Sequence, residues 1–163
     1  MRKRKINRLI PALLIVCIAA LAVMIFALTR GITEPSAFSP PPFESAAQSG
    51  TPEVTNTSWT KIYQDGMSFS AHVCGEATFK EGSADLFFTN DAENNVWLKL
   101  RITDENGNVL GETGLLKPNE YVKSVALNTI PAVGTKIRLK MMAYEPETYY
   151  SAGSVSVNIT VGG

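Results

Sequence analysis

Two patterns of apolar and polar positions divide this chain: an unbroken apolar run over residues 9–28, and short stretches of strict alternation that begin near residue 69 and continue almost to the end. The first predicts one helix and the second predicts strands, because a fully apolar run has no polar face whereas period-two alternation buries one face of a pleated segment. The alternation is clearest where Ala84, Leu86 and Phe88 interleave with Asp85, Phe87 and Thr89. It recurs where Val96, Leu98, Leu100 and Ile102 interleave with Trp97, Lys99, Arg101 and Thr103. Further strands are expected at 121–127, 135–144 and 154–161, with Pro118–Asn119, Pro131 to Gly134 and Glu145–Pro146 marking the breaks. Asn106–Gly107 is the most specific turn signal, since both residues tolerate the positive φ of a type I′ hairpin. About seven short strands with no helix between them predict an all-β, immunoglobulin-like antiparallel sandwich over residues 61–163. With the last strand at Val161, neither a second domain nor a C-terminal wall-sorting tail is expected.

The apolar run holds 20 residues, a helix of about 30 Å, which matches the hydrocarbon core of a bilayer. Twelve of them are Leu, Ile, Val or Phe, together favouring insertion by roughly 4–7 kcal/mol, and no charge opposes them. Pro11 falls in the first turns, where its missing N–H is tolerated. Arg2, Lys3, Arg4, Lys5 and Arg8 precede the run and Arg30 alone closes it, so residues 1–8 read as a cytoplasmic tail and everything after the helix as extracellular. The alternative is a cleaved signal peptide and a secreted domain. Against it, the stretch exceeds the usual ~7–15 residues of such an apolar region, and the best small-residue exit, near Ala27, has Ile25 two positions earlier. Cys17 follows Leu14, Ile15 and Val16 and so lacks the small residue that precedes a lipidated cysteine. Residues 29–60 carry Pro35, Pro40, Pro41, Pro42 and Pro52 among Ser, Thr, Ala and Gly and are expected to be an extracellular linker. Trp59, Ile62 and Tyr63 mark the return of order.

Net charge changes the picture because its zero total conceals a division. All six cations before Thr33 are unopposed, while the rest of the chain has nine Lys and Arg against fifteen Asp and Glu, a net of −6. A net-acidic outer part argues against a nucleic-acid partner, which needs a cationic surface. Cys17 and Cys74 fall on opposite sides of the expected membrane boundary, so no internal disulfide is available and the domain depends on its apolar core.

A Phe-x-x-Gly turn at Phe79 to Gly82, the polar Asn90 to Asn95 segment, the Asn106–Gly107 hairpin, the Gly114 to Pro118 segment and the Leu127–Asn128 strand end occur in that order. With these motifs the stretch 79–161 resembles a group of uncharacterised extracellular domains of membrane- or wall-attached proteins in Gram-positive (Firmicutes-type) bacteria. The resemblance covers about half the chain and departs at Asn119, where the turn glycine is expected, and at Lys136, where a tyrosine is expected. It implies a β-sandwich on a Gram-positive surface and no catalytic residues.

Strand parity supplies the candidate site. In 135–144 the inward set is Ile137, Leu139, Met141 and Ala143, which leaves Lys136, Arg138 and Lys140 on the outer face. If this strand pairs with the one carrying Trp97, Lys99 and Arg101, five cations and a tryptophan share one face, which fits an anionic wall polymer or an acidic protein surface. Glutamates on adjacent strands, Glu112 for example, would neutralise this stripe and make it an ordinary solvated face. Tyr149 and Tyr150 could stack on a sugar or anchor their loop. His72, the only histidine, has no accompanying serine or cysteine motif. Asp104, Glu105, Asn106 and Asn108 lack the spacing of a calcium loop, and Asn56 to Ser58 and Asn158 to Thr160 match glycosylation acceptors only as short motifs. No catalytic residue, cofactor or metal is expected. The expected function is a non-catalytic, membrane-anchored binding domain, with assembly through an open sheet edge as the second reading.

Overall fold

The computed structural model describes residues 9–30, 38–55, 58–80 and 82–162. The basic tail, Pro35 and the first glycosylation motif therefore lie outside or partly outside the described residues. Helix α1 (Leu9–Arg30) runs for 22 residues, two beyond the expected end, and its segment Ile10–Ala27 is long and apolar enough to cross a membrane. No acidic residue opens it.

A separate compact unit begins at Pro40. It contains strands β1 (Gln48–Ser49), β2 (Trp59–Ile62), β3 (Ala71–Cys74), β4 (Thr78–Lys80), β5 (Ser83–Asn90), β6 (Trp97–Asp104), β7 (Val109–Glu112), β8 (Glu120–Ala126), β9 (Lys136–Tyr144) and β10 (Ser151–Thr160). One sheet has the order β1-β8-β5-β3-β2 with β4 beside β5; the other has the order β10-β9-β6-β7. Every strand pairing is antiparallel. The two inner faces share one core, with Leu86, Phe88, Val122 and Val125 from the first sheet against Leu98, Leu100, Ile102, Ile137, Leu139 and Met141 from the second. Burial of each such side chain stabilises the fold by about 1.5–3 kcal/mol. The expected all-β sandwich is the observed one, with ten strands among the described residues in place of about seven.

One of the added strands, β1, comes from the proline-rich segment expected to be linker, part of which is built into the domain through backbone pairing that leaves no periodic signal. Phe43 bridges Leu115 in parallel, with Glu44 N donating to Leu115 O and Leu115 N donating to Pro42 O, both at 2.9 Å. Gly114 permits this approach, because a Cβ there would lie 2.5 Å from Glu44 N. Gly114 N also donates to Glu44 Oε2 at 2.7 Å. Further on, Gln48 and Ser49 pair with Tyr121 and Glu120.

Asn90, fully buried at the end of β5, ties the two sheets together: its Nδ2 donates to Val96 O and Leu116 O, each at 2.9 Å, and its Oδ1 accepts from Asn94 Nδ2 at 2.6 Å. Asn119 adopts φ 63, in keeping with its tolerance of a glycine position. The Asn106–Gly107 hairpin forms, but not as type I′. Only Gly107 has positive φ, and Gly107 N donates to Asp104 O at 3.1 Å, which makes a type I turn closed by a glycine bulge. Asp104 decides between the two, since its Oδ1 accepts from Asn106 N at 2.9 Å and Asn108 N at 2.8 Å.

Candidate functional site

β6 pairs with β9, the pairing on which the expected shared face depended, and the outer face of the four-stranded sheet follows from that register. Trp97 stands opposite Tyr144, Lys99 opposite Met142, Arg101 opposite Lys140 and Thr103 opposite Arg138. The face extends onto β10, where Thr160 stands opposite Lys136, Asn158 opposite Arg138 and Ser156 opposite Lys140. A column of cations on β9 thus runs beside a column of hydroxyl and amide side chains on β10. Alternate residues recur about every 6.6 Å, so the three β9 cations span about 13 Å.

The five candidate cations divide into two groups. Lys136, Arg138 and Lys140 are exposed, and none of them has a carboxylate within ion-pair distance among the described residues. Arg138 Nε approaches Asn158 Oδ1 at 3.4 Å. Lys99 and Arg101, by contrast, converge on Glu112 across the β6–β7 pairing: Lys99 Nζ lies 2.7 Å from Oε1 and Arg101 Nε 2.9 Å from Oε2. Lys99 is not an exposed cation at all, because its residue is 7% accessible. This corrects the expectation of five equivalent cations. Burial alone would raise the Glu112 pKa, but the hydrogen bonds from Lys99 and Arg101 outweigh it and hold the carboxyl below its usual range. Lys136 and Arg138 also line a shallow cavity of about 180 Å³ with Asp104, Glu105, Ile137 and Asn158. The Asp104 carboxylate there is already engaged by the turn, including Asn108 Nδ2 at 2.8 Å on Oδ2.

Trp97 faces outward, as expected, but is half-buried there under the segment around Phe43 and the loop before β10. Its ring meets Phe43 at 4.8 Å and 74° and Tyr149 at 5.2 Å and 62°, both edge-on geometries. Lys117 Nζ lies 4.9 Å above the Phe43 ring. Trp97 therefore clamps the entering chain, and Tyr149 anchors its loop on that clamp. Tyr150 is 71% exposed, so the two tyrosines do not form a paired platform.

One grouping was not legible in the sequence. His72 on β3, Asp91, Ser70, Lys61 and Trp59 meet at the β2–β3 edge. His72 Nδ1 lies 3.4 Å from Asp91 Oδ1, Lys61 Nζ lies 2.9 Å from Asp91 Oδ2, and Trp59 stacks on the imidazole at 4.5 Å and 21°. Ser70 Oγ donates to Asp91 Oδ2 rather than to the imidazole, so serine, histidine and carboxylate are not in the relay order of a nucleophilic site. Burial pushes the His72 pKa down, with the Asp91 charge opposing. Cys74 is buried, and burial raises its thiol pKa.

No protein-family model matches the chain, and no curated protein shows significant similarity to it. The functional reading therefore rests on the geometry of this face.

Proposed function

We propose that this chain is a non-catalytic surface protein, held in the membrane by α1 with its N-terminus cytoplasmic, whose extracellular β-sandwich binds a linear anionic polymer of the envelope along β9. The observation that carries the reading is the row of Lys136, Arg138 and Lys140, exposed and without a carboxylate partner among the described residues, on an otherwise net-acidic domain. A repeat of about 6.6 Å along the strand suits a chain carrying one charge per short repeat. The neighbouring Ser156, Asn158 and Thr160 supply donors and acceptors for the uncharged parts of such a polymer. The membrane placement draws on the length and apolarity of α1 and on the basic residues before it.

Retention on purified cell envelopes tests the reading. Lys136→Glu/Arg138→Glu/Lys140→Glu should abolish sedimentation of the solubilised full-length protein with envelopes while leaving its thermal unfolding intact, because all three side chains project from the folded domain. Lys99 and Arg101 are unsuitable for this test, since reversing either would strand Glu112. Unchanged retention of the triple variant would refute the reading.

A further inference from the structure

Among the described residues, the outer edge of β10 from Ser154 to Thr160 is the one long, regular strand edge of this domain without a charge, a proline or a paired neighbour. The other outer strands are short or obstructed. β1 has two residues, β2 has four and presents Lys61, and β4 has three and presents Lys80. β7 is capped where Gly111 bridges Leu127 and Asn128 N donates to Leu110 O at 2.7 Å. β10 has ten residues with neither charge nor proline. A glycine bulge interrupts its pairing between Ser151 and Gly153, and from Ser154 to Thr160 it is regular. Long edges of this kind are normally protected by charge, proline, a bulge or a covering segment.

The phase of the ladder says which groups face outward. Val161 N donates to Thr135 O at 2.9 Å. By antiparallel alternation Ile159, Val157 and Val155 point their backbone groups at β9, and Thr160, Asn158, Ser156 and Ser154 point theirs away. No hydrogen bond among the described residues reaches those outward groups from elsewhere in the chain.

We propose that the occupant of this edge is a second copy of the same chain, paired β10 to β10 in antiparallel register about a two-fold axis at Val157. In that register Ser154 meets Thr160 of the partner subunit and Ser156 meets Asn158 of the partner subunit, so every outward-facing residue falls in a hydrogen-bonded position, and about eight backbone hydrogen bonds form. The self-match comes from the spacing of the four residues and needs no charge complementarity. On the outer face small hydroxyl and amide side chains pair with one another. On the inner face the half-buried Val157 meets its own symmetry mate, and the half-buried Val155 meets Ile159 of the partner subunit. The β9 cations of the two copies stay three strand spacings apart, about 14 Å, so they do not oppose the contact. The result is one continuous sheet of eight strands that carries both cationic rows on the same face. Edge and register use none of those cations, and although Ser156, Asn158 and Thr160 belong to both readings, the trapped dimer is read out without any polymer.

Disulfide trapping of the full-length protein in its membrane tests it. Val157 on the axis is a non-hydrogen-bonded pair with a Cα separation of about 4.5 Å, within the range a disulfide spans. Val157→Cys in a Cys17→Ala background should therefore give a disulfide-linked homodimer on mild oxidation, whereas Lys61→Cys on β2 should not. Adding Ser156→Lys and Asn158→Lys, both on the exposed face, sets lysine against lysine across the axis. That double change should reduce trapping at least tenfold. Made in the solubilised protein that keeps Val157, it should raise the dimer dissociation constant at least tenfold, with circular dichroism unchanged. Three results would each overturn the proposal: no trapped dimer, a dimer indifferent to the two lysines, or cross-linking of the Val157→Cys variant to a different protein in place of itself.

Discussion

Lys99 Nζ lies 2.7 Å from Glu112 Oε1, and this pair removes Lys99 from the charged surface that strand parity assigns to it. The lysine side chain is 9% exposed and the glutamate 38%, so the lysine is mostly covered while the carboxylate side of the pair stays open to water. Oε2 of the same carboxylate takes Arg101, which leaves β9 as the unneutralised part of the face.

Replacing Glu112 by Gln should act in two directions at once. It leaves Lys99 covered and without its counter-charge, a loss of about 1–3 kcal/mol in stability. It also adds one positive charge to the face and should tighten polyanion binding. A lower melting temperature with a lower dissociation constant is expected, and Lys99→Met/Glu112→Gln should recover most of the stability.

Asn90→Leu keeps the branching of the side chain but is bulkier, removes the donor to Val96 O and one of the two donors to Leu116 O, and takes the acceptor from Asn94 Nδ2 inside the core. A loss of about 3 kcal/mol is expected in denaturant unfolding. Asn94→Ala, in a half-exposed position, should cost less.

Stability should fall in two stages on acidification. His72 has a folded pKa below its ordinary 6.5, chiefly through burial, so its contribution is complete above 6.5 and is lost as pH falls from there toward the folded value. For Glu112 and Asp91 burial acts upward, but the hydrogen bonds from Lys99 and Arg101, and from Ser70 and Lys61, prevail and leave both pKa values depressed. Their contribution is present above the ordinary values of 4.5 and 3.8 and is lost as pH falls through the lower folded ones. His72→Gln should remove the upper stage of the melting-temperature profile and leave the lower stage in place.

Because Trp59 stacks on the imidazole at 4.5 Å, protonation of His72 should quench tryptophan emission with a midpoint below 6.5. The quenching should disappear in His72→Gln. A midpoint above 6.5 would contradict the desolvated environment assigned to this ring.

Gly114→Val should detach the segment around Phe43, since any Cβ there would meet the backbone of Phe43 and Glu44 at 2.5–2.7 Å. Loss of the Phe43 edge from the Trp97 ring should shift emission to longer wavelength and open the segment to proteolysis, with the rest of the sandwich retained.

Alternation along the chain identified the inward residues Leu98, Leu100, Ile102, Ile137, Leu139 and Met141 and the outward cations of β9, because burial of one sheet face is a local, periodic constraint. Neutralisation by Glu112 was foreseeable, but its restriction to Lys99 and Arg101, with Lys99 covered, was not. It depends on where Glu112 falls after the hairpin, and Asp104 and Gly107 set that register by forming a bulged turn instead of a type I′ turn. The Phe43 attachment was hidden for a different reason: it uses backbone bonds and two side chains within a proline-rich stretch whose composition is that of a linker. His72, Asp91 and Trp59 come together through nonlocal pairing of β2, β3 and the end of β5, with no motif to announce it.

The central claim is tested most directly by titrating the full-length protein, in detergent at physiological salt, with poly(glycerol phosphate). A cation near a polyanionic surface contributes about 1 kcal/mol, so Lys136→Gln/Arg138→Gln/Lys140→Gln should weaken binding about a hundredfold. The wild-type affinity should fall as salt is raised. An affinity that is the same in the wild type and the triple variant, or no binding by the wild type, would contradict the account.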